Sequence, residues 1–343
     1  MRGPTIRVKP LVVQQSFPRP RPTTNPYIWM LAESIEAVPE VRLRYFTWRG
    51  ALFGRYDVIH LHWPEILVSG QSPLKALLRQ ALTVLLVIKL ELTRTPIVRT
   101  AHNLDLPQGI SRRERALLRW IDRRTTLKIR LNELTEIDGR WGVATIPHGH
   151  YRDWFAKYPK PPAVAGRFGY FGLIRRYKGV DALLRAFAGV ESASVSLAIG
   201  GKPSSQRLVA ELTALAGKDS RVMLNLEFLS EEQIVAIVGS SQLVVLPYRE
   251  MHNSGGALTA LSLGRPVLVP ANEVNRLLSA EMGEGWVYQF EGELTSKALA
   301  DTLAEVEGRV VGELPNLARR EWTEAGTLHV DAYRQAIALR RNH

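Results

Sequence analysis

Gly169-Tyr-Phe-Gly-Leu-Ile-Arg-Arg-Tyr-Lys-Gly179 runs out of an apolar strand, through a glycine turn, and into the amphipathic helix Val180-Asp-Ala-Leu-Leu-Arg-Ala-Phe187. A junction of this kind presents free backbone N–H groups at a helix N-terminus. Gly172 lets the chain turn sharply, and Arg175, Arg176 and Lys178 stand beside the exposed amides, which is the chemistry of a diphosphate site. The same residues also suit an ordinary strand-to-helix turn with solvated cations, so the reading needs a second observation.

That observation lies further along, in Pro247-Tyr-Arg-Glu-Met-His-Asn-Ser-Gly-Gly-Ala-Leu-Thr259, which continues to Gly264 and the strand Arg265-Pro-Val-Leu-Val269. A strand ends at Pro247, a polar glycine loop follows, and a helix of small residues starts near Gly256. Ser254, Gly255 and Gly256 let backbone amides approach a phosphate because no bulky side chain intervenes. Glu250 and Asn253 offer partners to sugar or ribose hydroxyls, and Thr259 follows one helical turn later.

Outward from these segments the chain alternates short apolar runs with helical patterns, the mark of parallel α/β layering. Strands are expected at 11–15, 41–45, 58–62, 97–101, 127–131 and 144–146, with helices at 26–38, 74–92 and 112–123 between them. Ser111 and Glu114 form a capping-box pattern before the last of these helices. A second series follows, with strands at 168–171, 195–199, 222–224, 243–246 and 267–269 and helices at 179–188, 205–216, 230–240 and 256–263. The proline-rich stretch 156–167 between the two series reads as a linker. The 343 residues, 45% of them hydrophobic, suffice for two domains. The predicted division is a first domain over 1–155, a second over 165–320 and a terminal helix over 321–343.

In this order the two glycine segments resemble the donor-binding domain of GT-B-fold glycosyltransferases of the group 1 type, the bacterial branch that builds surface polysaccharides and glycolipids. The resemblance is strongest over 168–270 and extends more loosely along the chain. It implies an α/β protein of two Rossmann-like, doubly wound domains facing each other across a cleft. In such enzymes the Gly172…Lys178-Gly179 turn gives a lysine, usually with an arginine, to the donor diphosphate, and the loop before Gly264-Arg-Pro-Val holds the sugar and phosphates. Two positions depart from the pattern. Leu173 stands where an arginine is common, which leaves Arg175 or Arg176 to supply that charge, and Thr259 stands where retaining members end a paired-glutamate motif.

The first half carries the acceptor side. In Val58-Ile-His-Leu-His-Trp-Pro-Glu65, His62, Trp63 and Glu65 emerge at a strand's C-terminal edge, where ligands of α/β sheets collect. His60 alternates with apolar neighbours and reads as a buried structural histidine. In Val98-Arg-Thr-Ala-His-Asn-Leu-Asp105, His102 and Asp105 leave the next strand end, where an imidazole or carboxylate can deprotonate a hydroxyl or support developing charge. In similar enzymes the strand-end histidine of the first domain faces the donor sugar, a role that falls on His102, and Asp105 is the carboxylate base if the reaction inverts. His148, in Ile146-Pro-His-Gly-His150, is a further cleft residue, and His150 is expected on the surface. The resemblance makes Trp322 and Tyr333 packing residues of a helix that crosses back to the first domain.

Composition narrows the classes. No cysteine is present, which excludes disulfides, thiolate metal sites and a cysteine nucleophile and suits a reducing compartment, the cytoplasm. No His, Asp or Glu pattern has metal-ligand spacing, and enzymes of the resembled fold neutralise the diphosphate with lysine, arginine and helix dipoles, so no cofactor and no essential metal are expected. The start does not read as a signal peptide. The apolar stretch 81–88 falls well short of the roughly 18–20 residues of a spanning helix. Residues 1–160 hold 26 Lys and Arg against 13 Asp and Glu, whereas residues 161–343 hold 19 against 20. The whole cationic surplus thus sits in the first half, as it does in domains that meet anionic membranes or nucleic acid. The apolar helix 74–92, with Lys75, Arg79 and Lys89, and the arginines of 112–124 read as a patch for the inner membrane surface, or as a core helix with a solvated neighbour.

The expected activity is glycosyl transfer from a nucleoside-diphosphate sugar, with a lean to GDP-mannose, onto a lipid-linked glycan or polysaccharide precursor. Two alternatives remain at this point. One is a sugar-nucleotide 2-epimerase of the same fold. The other is a basic nucleic-acid-binding protein, against which stands the lack of any helix-turn-helix, RNP or zinc pattern.

Overall fold

A computed structural model describes residues 9–21, 24–102, 106, 109–249, 251, 255–308 and 314–341. The chain divides into two compact units, Met1–Gly149 with Arg320–His343, and His150–Arg319.

The first unit runs β1 (Leu11–Gln15), α1 (Pro26–Glu36), β2 (Val41–Arg44), α2 (Trp48–Phe53), β3 (Val58–Leu61), α3 (Glu65–Val68), α4 (Pro73–Leu92), β4 (Ile97–Thr100), α5 (Arg112–Arg124), β5 (Leu127–Arg130) and β6 (Gly142–Thr145). All six strands are parallel, in the order β2-β1-β3-β4-β5-β6. Parallel strands buried on both faces need continuous apolar runs, and Val58, Ile59, Ile97 and Val98 are 0–2% exposed. Ser111 caps α5 through the expected box with Glu114.

In the second unit the elements are α6 (Arg152–Phe155), β7 (Arg167–Phe171), α7 (Val180–Ala188), β8 (Ser196–Gly200), α8 (Gln206–Ala216), β9 (Val222–Asn225), α9 (Glu231–Ser240), β10 (Leu243–Val245), α10 (Gly255–Ser262), β11 (Val267–Pro270), α11 (Glu273–Met282), β12 (Val287–Phe290) and α12 (Ser296–Glu307). Its six parallel strands follow the order β12-β11-β10-β7-β8-β9. The proline-rich stretch forms no helix or strand between α6 and β7 and belongs to this unit, since Val164 N donates to Ser240 O at 2.9 Å. The chain crosses from one unit to the other ahead of that stretch, at Gly149.

The terminal helix α13 (Trp322–Arg341) returns to the first unit, where it packs along α1 and against β3, β4, β5 and β6. Tyr333 is fully buried there and Trp322 is 9% exposed, as their packing reading requires.

Strand order fixes where ligands can sit. In an open parallel sheet the connections on either side of a reversal point diverge and leave a crevice at the strands' C-terminal ends. The reversal falls between β1 and β3 in the first unit and between β7 and β10 in the second. The first is flanked by Ser16, Phe17 and His62, the second by Gly172 and Pro247.

Candidate active site

At the second unit's reversal point, β7 is followed by Gly172, whose φ of 105° admits only glycine comfortably. A short 3-10 turn, Arg176–Lys178, follows and leads to Gly179 at φ 65°, the N-cap of α7. A Cβ on Gly179 would lie 2.1 Å from Pro247 O, so the turn rests backbone to backbone on the end of β10. No side chain caps α7.

Lys178 folds back over this turn. Its Nζ stands 3.9 Å from where a Cβ on Gly172 would be and 4.9 Å from the centre of the Tyr248 ring. Burial, with the Arg175 guanidinium nearby, lowers its pKa to about 8. A desolvated ammonium beside a second cation gains from an anion between them, because an anion removes the cost of both. Arg176 is committed elsewhere, to Glu211 at 2.9 Å on the surface. Of the two arginines the sequence offers, Arg175 is the one whose charge reaches Lys178. Asp181, in the first turn of α7, is matched by Arg249 at 3.5 Å and Arg185 at 3.8 Å.

Across the crevice, α10 opens with Gly255 and Gly256. The Thr259 hydroxyl donates to Gly255 O at 2.8 Å, which ties it to its own helix while its lone pairs stay available. Glu250, Asn253 and Ser254 lie outside the described residues.

The first unit's reversal point holds an aromatic and histidine cluster. His62 is 2% exposed, its backbone N–H donates to Ser16 Oγ at 3.0 Å, and its Nδ1 lies 3.3 Å from His102 Nε2. His102 stacks on Trp63, with centroids 4.4 Å apart and planes 16° from parallel. Tyr27 meets His102 edge-on at 5.2 Å and His148 at 4.7 Å. His148 Nδ1 donates to Gly149 O at 2.8 Å. Beneath them His60 joins Thr100 Oγ1 and Tyr333 OH, each at 2.8 Å, and His329 Nδ1 donates to Ala325 O at 2.7 Å.

Burial dominates the electrostatics of this cluster. It lowers the pKa of His102 to about 3 and of His148 and His329 to about 4. His60 and His62 are pushed well down for the same reason, each further disfavoured by neighbouring imidazoles. All five rings are therefore neutral, able to give one hydrogen bond and take another. Glu65 stands half-buried in the first turn of α3, three residues past His62. Asp105 lies outside the described residues.

Two expectations are corrected. His150 is not on the surface: it is 2% exposed, and its Nδ1 accepts from Arg152 N at 3.2 Å. The local reason is α6, whose first residue turns back onto the ring. His62, expected to face substrate, is enclosed, and its Nδ1 is turned to His102. Sequence reading did not single out Tyr27 or His329, because each sits in an apolar helical pattern that looks like ordinary core. Among the described residues no group of three or more His, Cys, Asp or Glu side chains has the arrangement of a metal site.

Residues 165–307 match the family model described as glycosyl transferases group 1. A GDP-mannose:glycolipid 4-beta-D-mannosyltransferase of Xanthomonas campestris pv. campestris is 43% identical over 328 residues, which cover 95% of this chain and 93% of that protein. Among solved structures, sucrose-phosphate synthase from Thermosynechococcus elongatus superposes with a TM-score of 0.66 at 15% identity, covering 96% of this chain and all of that one. HepE of Anabaena in complex with UDP gives 0.59 at 16% identity, covering 98% of each chain. These two structures share the fold, and the 43% relative, aligned along nearly the whole length, fixes the family. The chain belongs to the group 1 glycosyltransferases of GT-B fold.

Proposed function

We propose that this glycosyltransferase moves mannose from GDP-mannose to a hydroxyl of a glycolipid, with inversion at the anomeric carbon. The observation that carries the reading is the 43% identity, along 95% of the chain, to an enzyme named for that donor, that acceptor class and a β linkage. GDP-mannose holds its sugar in α linkage, so a β product requires one displacement from the opposite face.

In this reading Lys178 and Arg175, the amides at the start of α7 and those of Gly255 and Gly256 hold the diphosphate and take up charge as it leaves. Thr259, with Glu250, Asn253 and Ser254, orients the sugar and its phosphates. Asp105 is the base that takes the acceptor proton. His102, kept neutral and fixed between His62 and Trp63, orients hydroxyls instead, since an imidazole with a pKa near 3 takes up a proton poorly at neutral pH. His148 and Glu65 complete the acceptor side. The cationic groups neutralise the diphosphate, so activity is expected to persist in EDTA.

A glycolipid acceptor sits in a bilayer, and α4 supplies a surface suited to one. No helix among the described residues is long and apolar enough to cross a membrane. Yet Leu74, Leu77, Leu78, Leu85, Ile88 and Leu92 are 40–81% exposed along a single face of α4. The arginines of α5 lie next to it, and exposed leucines beside cations are what an anionic leaflet binds. The helix is apolar on two faces: one packs into the core through Leu86, Val87 and Leu90, with Gln80 and Thr83 bonding to Val68 O and Leu67 O of α3, and the other carries the exposed leucines. Sedimentation with phosphatidylglycerol vesicles, weakened severalfold by Leu77→Ser with Leu85→Ser, is the expected result; unchanged sedimentation contradicts the docking.

The test of the donor is a thermal-shift comparison of GDP, UDP, dTDP, CDP and ADP. GDP alone should stabilise the protein, by about 2.7 kcal/mol at one hundred times its dissociation constant, and Lys178→Ala should abolish the effect. Equal response to all five nucleotides, or a response that survives Lys178→Ala, overturns the reading.

A further inference from the structure

Arg99 on β4 and Lys128 on β5 are register partners, so their side chains leave the same face of the sheet. They are 13% and 12% exposed, and both reach one carboxylate oxygen, Asp122 Oδ1, at 2.7 and 2.8 Å. Two nearly buried cations thus share one anion. Arg99 Nε is buried without a hydrogen-bond partner. Lys128 Nζ lies 3.3 Å from the centre of the Trp141 ring, whose π face offsets part of the surplus charge. Burial nevertheless holds Lys128 below its ordinary range, against the pull of Asp122 and with Arg99 and Arg140 adding to the lowering.

These groups form the floor of a cavity of about 460 Å³ with Leu118 and Ile137 in its walls. Arg119, Glu136 and Asp138 line its exposed mouth, and Arg140 pairs with Asp138. Asp122 is the one acid at the bottom, shared by two cations, and the other two acids are at the rim. An uncompensated buried charge is costly, and a guanidinium with an unused N–H beside an ammonium is the donor set that an oxyanion accepts from. None of these side chains belongs to the donor crevice or to the histidine cluster.

We propose that this cavity is a second ligand site, for a phosphate or diphosphate ester bound by Arg99 and Lys128. The same chemistry is found in a soluble phosphate compound and in a lipid headgroup.

The test is calorimetric titration with inorganic phosphate at constant ionic strength. Three proteins are compared: wild type, Lys178→Ala, and Lys128→Met, which keeps the stem over Trp141 and removes the charge. Wild type also offers phosphate the donor lysine, so Lys178→Ala isolates this site: it should retain one bound phosphate, and binding at this site should weaken at least tenfold in Lys128→Met. With the surplus charge gone, the ligand-free Lys128→Met protein should melt no lower than wild type. If it fails to fold, Arg119→Ala, on the exposed mouth, should still weaken binding two- to threefold. Absence of binding, binding lost in Lys178→Ala, or binding unchanged in both Lys128→Met and Arg119→Ala overturns the site. Phosphatidylglycerol vesicles that displace phosphate place the anion on a lipid, and vesicles that do not displace it place the anion on a soluble ester; both results leave the site standing.

Discussion

Acidification is expected to unfold the first unit well before carboxylate protonation would. His102, His148 and His329 titrate near 3, 4 and 4 in the folded chain because burial disfavours their charged forms. In the unfolded chain they titrate near 6.5. Between these values the unfolded state binds more protons, so stability is fully present above about pH 6.5 and falls as the pH drops toward about 4. At about pH 5.5 each ring contributes a loss of about 1.4 kcal/mol, and the three together about 4 kcal/mol. That is a large part of the roughly 5–15 kcal/mol that holds a domain folded. His60 and His62 shift the same way and add to the effect. Urea unfolding followed by tryptophan fluorescence reads it out, because Trp29, Trp48, Trp63, Trp120, Trp141 and Trp322 lie in the first unit and only Trp154 and Trp286 in the second. The transition of the first unit should move to lower urea between about pH 8 and about pH 5.5, and His329→Leu, removing one of the five rings, should take away about a fifth of the shift. A midpoint independent of pH over that window, or a slope untouched by His329→Leu, refutes the claim that these rings are buried neutral.

Three further outcomes are expected. Tyr333→Phe removes the hydroxyl bonded to His60 Nδ1 and to Gln15 Nε2 and should cost about 1–3 kcal/mol in urea unfolding, with nucleotide affinity unchanged. Gly179→Ala forces a Cβ onto Pro247 O in a left-handed backbone, and loss of GDP binding by calorimetry, with a melting temperature lowered by several degrees, is expected. Asp105→Asn should reduce kcat by at least a hundredfold at unchanged KM for GDP-mannose, the size of contribution a positioned general base makes; a kcat within threefold of wild type excludes Asp105 as the base.

The second unit was the more legible of the two in sequence. Its strands β7, β8, β10 and β11 are apolar runs that meet glycine or proline at their ends, and Gly172, Lys178 and Gly179 form one local group and Gly255 and Gly256 another, each legible from turn chemistry alone. The limit of that legibility is α11, β12 and α12, which carry no functional motif and sit past the last glycine segment. In the first unit the strand-end residues His62 and His102 were visible because each follows an apolar run. What they touch was not. Tyr27 comes from α1 and Trp322 and His329 from α13, at opposite ends of the chain, and nothing in a helical apolar pattern tells a ring that supports a site from a ring that fills a core. The short helices α2, α3 and α6 escaped for a different reason: four to six residues are too few for a 3.6-residue period to show.

The two units place their site residues by the same geometric rule and equip them oppositely. At the β7–β10 reversal the chain concentrates positive charge and exposes amides, with burial holding Lys178 near pKa 8, a cost that an anion would relieve. At the β1–β3 reversal it does the reverse, surrounding His62, His102 and His148 with Tyr27, Trp63 and Trp322 until every imidazole is neutral. On the proposed reading, the charged crevice attracts the anionic leaving group, and the neutral, aromatic one offers faces and single hydrogen bonds to sugar hydroxyls without holding a phosphate in the wrong place. Adding a charge to the second crevice should therefore harm specificity before it harms binding. His102→Lys is the case to make, and it is expected to gain affinity for inorganic phosphate while losing transfer, with the Lys178 site still binding GDP as before.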